Sequence, residues 1–204
     1  MLTTINKRLK KALRSYGRSQ EGVTAVEFAM VGGPFLFVLL AVFELSLMLF
    51  AEYALAQNIE TAGRLIRTGQ IQNGLNGHLA TPAYFKSQVC KNLSTLLDCD
   101  NKLYVDVRKF NDFSSIAGSL PSPFTSGTSE LSPDITSNSQ YQPGAAGEIV
   151  SVRVYYDWQL FLPGLGELVG AIGVGLGNVS AAGSSDKKSR LLTAAATFRN
   201  EPFN

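Results

Sequence analysis

The feature that most restricts this chain is the stretch from Phe28 to Ala51, which runs 24 residues with a single charge, Glu44. A bilayer core about 30 Å thick takes roughly 20 apolar residues in a helix rising about 1.5 Å per residue. The stretch is therefore long enough to span a membrane. In front of it Lys7, Arg8, Lys10, Lys11, Arg14 and Arg18 stand against Glu21 alone. Lys and Arg hold their end of a span on the cytoplasmic side, so the chain from Glu52 onward is expected beyond the cytoplasmic membrane. Two other readings stay open. Ala54-Leu55-Ala56 resembles a small-residue cleavage site, although a signal-peptide core of about 7–15 residues is shorter than this run. A helix buried in a soluble core would also be apolar on all sides.

Composition narrows the remainder. Charged residues make up 17% of 204 and the net charge is only +2. No broad positive field exists to gather phosphates, so nucleic acid is not an expected partner. Inside the span, Gly32-Gly33 precede Pro34, which lacks a backbone donor and crowds the preceding turn, so a kink or looser turn is expected. Glu27 sits at the cytoplasmic edge of the span, and Glu44 lies near its outer end, where it is expected to reach polar headgroups.

The run Gly22-Val23-Thr24-Ala25-Val26-Glu27-Phe28 has a further character: a glycine behind a basic leader, four small or apolar residues, then Glu-Phe opening the apolar helix. It resembles the cleavage region of type IV prepilins. The wider chain resembles the TadE-like pseudopilins of the Tad (tight adherence, Flp) pilus assembly system. Gly33-Pro34, Phe43-Glu44-Leu45 and Ala62-Gly63-Arg64 add to the likeness, as does the terminal Thr197-Phe198-Arg199-Asn200-Glu201-Pro202-Phe203. The resemblance covers residues 18–68 and 190–203 best. It implies cutting between Gly22 and Val23 by a prepilin-type peptidase, which would remove the basic head and free an amino group on Val23. Glu27, one turn on, could then neutralise such a cation on a neighbouring subunit. It also implies a single-pass inner-membrane protein with its N-terminus cytoplasmic and its C-terminal domain periplasmic. Such a protein serves pilus assembly and surface adhesion as a minor pilin-like subunit and is open to incorporation in a pilus. The implied partners are the cytoplasmic membrane, other pilins and pseudopilins, and the peptidase. The alternative is an uncleaved envelope protein whose periplasmic domain binds a ligand or partner.

Beyond the membrane the pattern predicts an α+β fold. Leu55, Ile59, Ala62 and Ile66 share one helical face, so the first helix is expected to continue to Arg67, with Glu60 and Arg64 paired and Gly69 as its stop. Thr81-Pro82 opens a short helix whose buried face would be Phe85, Val89, Leu93 and Leu96. Cys90 and Cys99 form an even, close pair suited to a disulfide in an oxidising compartment. Period-two alternation marks strands through Leu103–Val107, Val150–Trp158 and Leu192–Phe198, predicting an antiparallel sheet of about three strands covered on one face. Boundaries follow as leader 1–22, span 23–51 and outer domain 52–204, with long loops over 111–147 and 160–190. Leu160–Val179 is apolar, but Pro163 and the glycines of 170–177 weigh against a second span.

Catalytic signatures are sparse. His78 is the single histidine and lies in a Gly-Asn-Gly turn context, and neither a nucleophile elbow nor a phosphate loop occurs. Asp98 and Asp100 flank Cys99 at a helix end. No catalytic residue, metal or cofactor is expected.

Overall fold

The computed structural model describes residues 23–74, 81–91, 93, 96–126, 131–162, 178–180 and 188–203. The leader with Gly22, His78 and the glycine-rich part of the second long loop lie outside the described residues. The chain divides into two compact units, Met1–Phe43 and Glu44–Asn204.

Helix α1 runs over Val23–Arg67 as one element of 45 residues. It passes through Gly32, Gly33 and Pro34 without a break in its assignment. Arg64 and Arg67 occupy its last turn, where cations suit the helix dipole. Gly69 then takes φ +72°, a conformation that costs most L-residues about 1–2 kcal/mol. The Glu60–Arg64 pair is not among the ion pairs of the described residues. Arg67 instead faces Glu201 at 3.3 Å, a half-exposed pair of small energetic weight.

The second unit is built on an antiparallel sheet. Strands β1 (Leu103–Phe110), β2 (Ile149–Gln159) and β4 (Lys188–Arg199) are the three expected, and a three-residue β3 (Asn178–Ser180) joins them in the order β1-β2-β4-β3. The short β3 and the first turns of β4 therefore fall inside the stretch 160–190 that the sequence suggested as loop. Register sets Val105 opposite Val154 and Val152 opposite Ala196. With period two this puts Val150, Val152, Val154, Tyr156 and Trp158 on one face, joined by Leu192, Ala194 and Ala196. That face shares a core with Met48, Ala51, Leu55, Ile59, Ala62 and Ile66 of α1. The helix comes close to the sheet at Gly63, where a Cβ would lie 3.0 Å from the Phe198 ring.

Short helices complete the unit: α2 (Pro82–Cys90), α3 (Cys99–Lys102), α4 (Ile116–Ser119) and α5 (Pro133–Thr136). The Thr81 hydroxyl accepts from Tyr84 N and caps α2. Phe85 and Val89 are buried as the spacing suggested, but the helix stops at Cys90. The turn after it brings Leu93 and Leu97 inside and leaves Leu96 half-buried, so the assumed helical face ends one turn early. Cys90 and Cys99 are bonded, with Cα atoms 6.3 Å apart, and join the end of α2 to the start of α3. Replacing both by serine should lower unfolding stability by about 2–3 kcal/mol, measured as a shift of the urea midpoint that reductant reproduces in the native protein.

The expectation of a sheet covered on one face is corrected at β2, which is buried from Ile149 to Trp158 on both sides. The covering comes from the Ser- and Pro-rich connection 111–147, expected as open loop. Tyr141 forms a parallel bridge with Val107, with Val107 N donating to Gln140 O and Gln142 N to Val107 O, each at 2.8 Å. This closes the outer edge of β1, which would otherwise present unpaired backbone groups. Leu131 and Ile135 from the same connection are buried.

Candidate functional site

Three constellations could bear function: the apolar helix start, the buried acid Glu44, and the C-terminal motif.

Residues 24–30 are exposed throughout, Glu27 among them. Phe28, Met30, Val31, Phe35, Val38, Val42 and Phe43 are each more than half exposed, although they point to all sides of the helix. A window of α1 reaches a mean hydropathy of 2.3, and the helix is long and apolar enough to cross a membrane. A helix that is apolar all round needs lipid or other helices around it. Val23 begins α1 and Glu27 follows one turn later, so a carboxylate stands near the helix start. Gly22 lies outside the described residues.

Glu44, expected to reach polar headgroups, has its side chain turned into the outer domain. It is buried to 3% exposure, and its carboxylate accepts from Phe161 N and Leu162 N just after β2. Ionised carboxylates pair strongly with backbone donors, and two donors offset much of the desolvation. Pro34, by contrast, lies within the helix.

The C-terminal motif closes the far end of α1. Asn200 is buried, its amide donating to Pro143 O and Ala145 O at 2.9 and 3.0 Å, its backbone N to Glu148 O. Glu201 N donates to Arg67 O at 2.8 Å, capping the last turn of the helix. Gln72 donates from the other side to Ile66 O, Pro143 O and Gly144 O. Arg199 and Pro202 are exposed. Phe203 lies against Gly69, where a Cβ would fall within 2.3 Å of its ring. The motif is thus a lock between the final strand and the helix end.

Sequence reasoning missed a second buried network, on the outer face of the sheet. Asp106, with no exposed surface, accepts from Arg108 Nε at 2.9 Å, Arg153 Nη2 at 2.6 Å and Gln140 N at 3.1 Å. Arg153 Nη1 reaches Pro121 O at 2.9 Å. The network fastens the connection 111–147 to β1 and β2. The alternation places opposite charges on the noncore positions of two strands, but only the register of β1 on β2 brings Asp106 and Arg153 opposite each other.

Arg190 is buried opposite Trp158, and among the described residues neither of its terminal nitrogens has a partner. Burial pulls its guanidinium below the ordinary arginine range. An unpaired buried cation costs stability, so Arg190→Met should be neutral or stabilising by about 1–3 kcal/mol, checked by thermal unfolding of the full chain in detergent.

Beside the disulfide lies a cleft lined by Ser87, Lys91, Asp98 and Asp100. Lys86 donates to Asp100 O, and burial lowers its pKa against the opposing pull of Asp100 and Asp98. Among the described residues no three His, Cys, Asp or Glu are grouped for a metal.

Residues 22–64 match the model of the TadE-like protein family. No curated protein and no solved structure matches the chain. The matched region takes in the helix start, Glu27, Pro34 and Glu44, and ends at Arg64. The matched region also holds the apolar part of the helix that is long enough to cross a membrane.

Proposed function

We propose that this chain is a minor pilin-like subunit of a Tad-type pilus machine, cut after Gly22 by a prepilin-type peptidase and assembled through the first part of α1. The observation that carries this reading is the helix from Thr24 to Phe43, apolar on all sides and largely exposed, with an exposed Glu27 five residues after Gly22. A leader cut at Gly22 would leave a Val23 ammonium group in or near the membrane. A lone charge there is costly, and an opposite charge with few competing waters is strongly attractive. Glu27 would supply that charge to a neighbouring subunit's terminus and fix the axial register between helices. The outer domain would face the periplasm, in keeping with its disulfide and with the basic leader on the cytoplasmic side. Its role is structural, in assembly and in adhesion through the pilus, rather than catalytic.

Cutting and docking are separate requirements under this reading. Gly22→Lys should block the cut, because a long charged side chain would enter a site shaped for none. The uncut chain then migrates larger on an immunoblot and pili are lost. Glu27→Gln should leave processing intact and still abolish pilus formation, since size is kept while the charge is removed. Normal pili from both variants would overturn the proposal.

A further inference from the structure

Strand β4 is engaged along one side and only at its start on the other. It pairs with β2 from Ser189 to Arg199, and with β3 from Lys188 to Arg190. From Leu191 to Arg199, no described residue pairs with the side turned away from β2. The far edge of the sheet shows which backbone groups face that gap. Val107 turns both its N–H and its C=O away from β2, to Gln140 O and Gln142 N. Backbone direction alternates along an antiparallel ladder. Asp106 and Arg108 therefore face β2, where they meet Arg153 and Ser151. Val152 and Val154 then face β4, where they meet Ala196 and Ala194. Leu191, Thr193, Ala195, Thr197 and Arg199 are left with their N–H and C=O groups along the unpaired edge.

Nothing in the sequence guards this edge. Strands left open at the side of a sheet are usually blunted by charges, by proline or by a bulge. The run from Leu191 to Phe198 has no charge and no proline, and its register on β2 continues without a bulge. Arg199, at its end, is the single charge. Thr193, Ala195 and Thr197 are exposed, so the chain itself does not cover them. The edge of β1, by contrast, is closed by the bridge to Tyr141.

We propose that the open edge of β4 receives an extended, uncharged peptide strand of another protein, added antiparallel as a further strand of the sheet. Donor and acceptor recur there at every second residue, about 6.8 Å apart, the repeat of an extended backbone. The added strand would continue both faces of β4. Its apolar side chains would lie beside buried Leu192, Ala194 and Ala196, and its small or polar ones beside Thr193 and Thr197. A second copy of this chain does not suit the edge. Two antiparallel β4 strands joined side by side are related by a two-fold axis normal to the sheet. That axis reverses every direction lying along the sheet, including that of α1, whose residues from Met48 to Ile66 share its core. Two chains that enter one membrane through the start of α1 cannot meet in this way. Only this exclusion rests on the membrane-anchored reading; the open edge stands without it.

The test follows amide hydrogen exchange, residue by residue, in the full chain in detergent. The probe is the capped, uncharged peptide Leu-Thr-Ala-Ala-Ala-Thr-Phe, copied from residues 192–198. Antiparallel on β4 it sets Thr against Thr and its central Ala against Ala195. Without peptide, the amides of Thr193, Ala195 and Thr197 should exchange fast and those of Ala194 and Ala196 slowly. With peptide at ten times its Kd, the three fast amides should slow about tenfold. N-methylation of the central Ala of the peptide should abolish the effect, and N-methylation of the Ala before it should not, because that amide faces away from β4. Fast exchange that persists with peptide overturns the proposal. So does equal loss from either methylation, which would mean apolar contact rather than strand addition. Slow exchange at 193, 195 and 197 before peptide is added means that the edge is already filled, and overturns it too. If that slowness fades on dilution the filler is a second copy, which also contradicts anchoring of both chains in one membrane. Cutting at Gly22 is untouched by all of these results, so failure here leaves the proposed function standing.

Discussion

Asp106→Ala should cost the outer domain about 3–5 kcal/mol, the loss expected when one member of a buried ionic network is removed. Asp106 has no exposed side-chain surface, and the side chains of Arg108 and Arg153 are only 17% and 11% exposed, so solvent screens little of the interaction. Truncation leaves two guanidinium groups without their acceptor and orphans Gln140 N, which currently donates to the same carboxylate. The connection 111–147 then loses its fastening to β1 and β2. Asp106→Asn should lie between wild type and alanine, because it keeps an acceptor without the charge. Replacing Asp106 and Arg153 together by apolar residues should cost less than the sum of the single changes, since no lone charge remains. Trp158 is the single tryptophan, so urea unfolding of the full chain in detergent can be followed by its fluorescence. An alanine variant with an unchanged midpoint would remove the network from the account of stability.

Gly69→Val should unlock the C-terminal motif. Two costs meet at this position. The residue holds φ +72°, where a β-branched side chain is worse placed than the usual L-residue penalty of about 1–2 kcal/mol. A Cβ there would also sit 2.3 Å from the Phe203 ring, which must leave. Expulsion of Phe203 pulls on Glu201, whose N–H caps Arg67 O, and on the buried Asn200. The combined loss should reach about 3 kcal/mol. Phe203→Ala in the same chain should recover the steric part and leave only the backbone part. Chemical denaturation of both single variants and the double variant measures this coupling. Strict additivity would mean that Phe203 does not pack on the helix end as described.

The parts of this fold that sequence made readable are those governed by one local period. The apolar run and its basic leader mark the membrane helix, and Leu55, Ile59, Ala62 and Ile66 are buried on the face their spacing gives. Val150 through Trp158 and Leu192 through Ala196 alternate toward the same core. What stayed hidden depends on residues far apart in sequence. Asp106 and Arg153 lie 47 positions apart and meet only once β1 and β2 pair in register. Glu44 meets Phe161 N across 117 positions, which no helical spacing can reveal. The stretch 111–147 reads as loop because its two helices have four residues each, too short for a periodic signal. Arg199-Asn200-Glu201-Pro202 was visible as a motif, yet its work depends on Gln72, Pro143 and Gly144 approaching from elsewhere.

Entry of the helix into a pilus machine requires, on the proposed reading, that its leader first be cut away. The most direct measurement is the intact mass and first residue of the protein recovered from cells that are making pili. The recovered chain should begin at Val23, with the Cys90–Cys99 bond retained. A chain that still carries Met1 to Gly22 while pili form would contradict it.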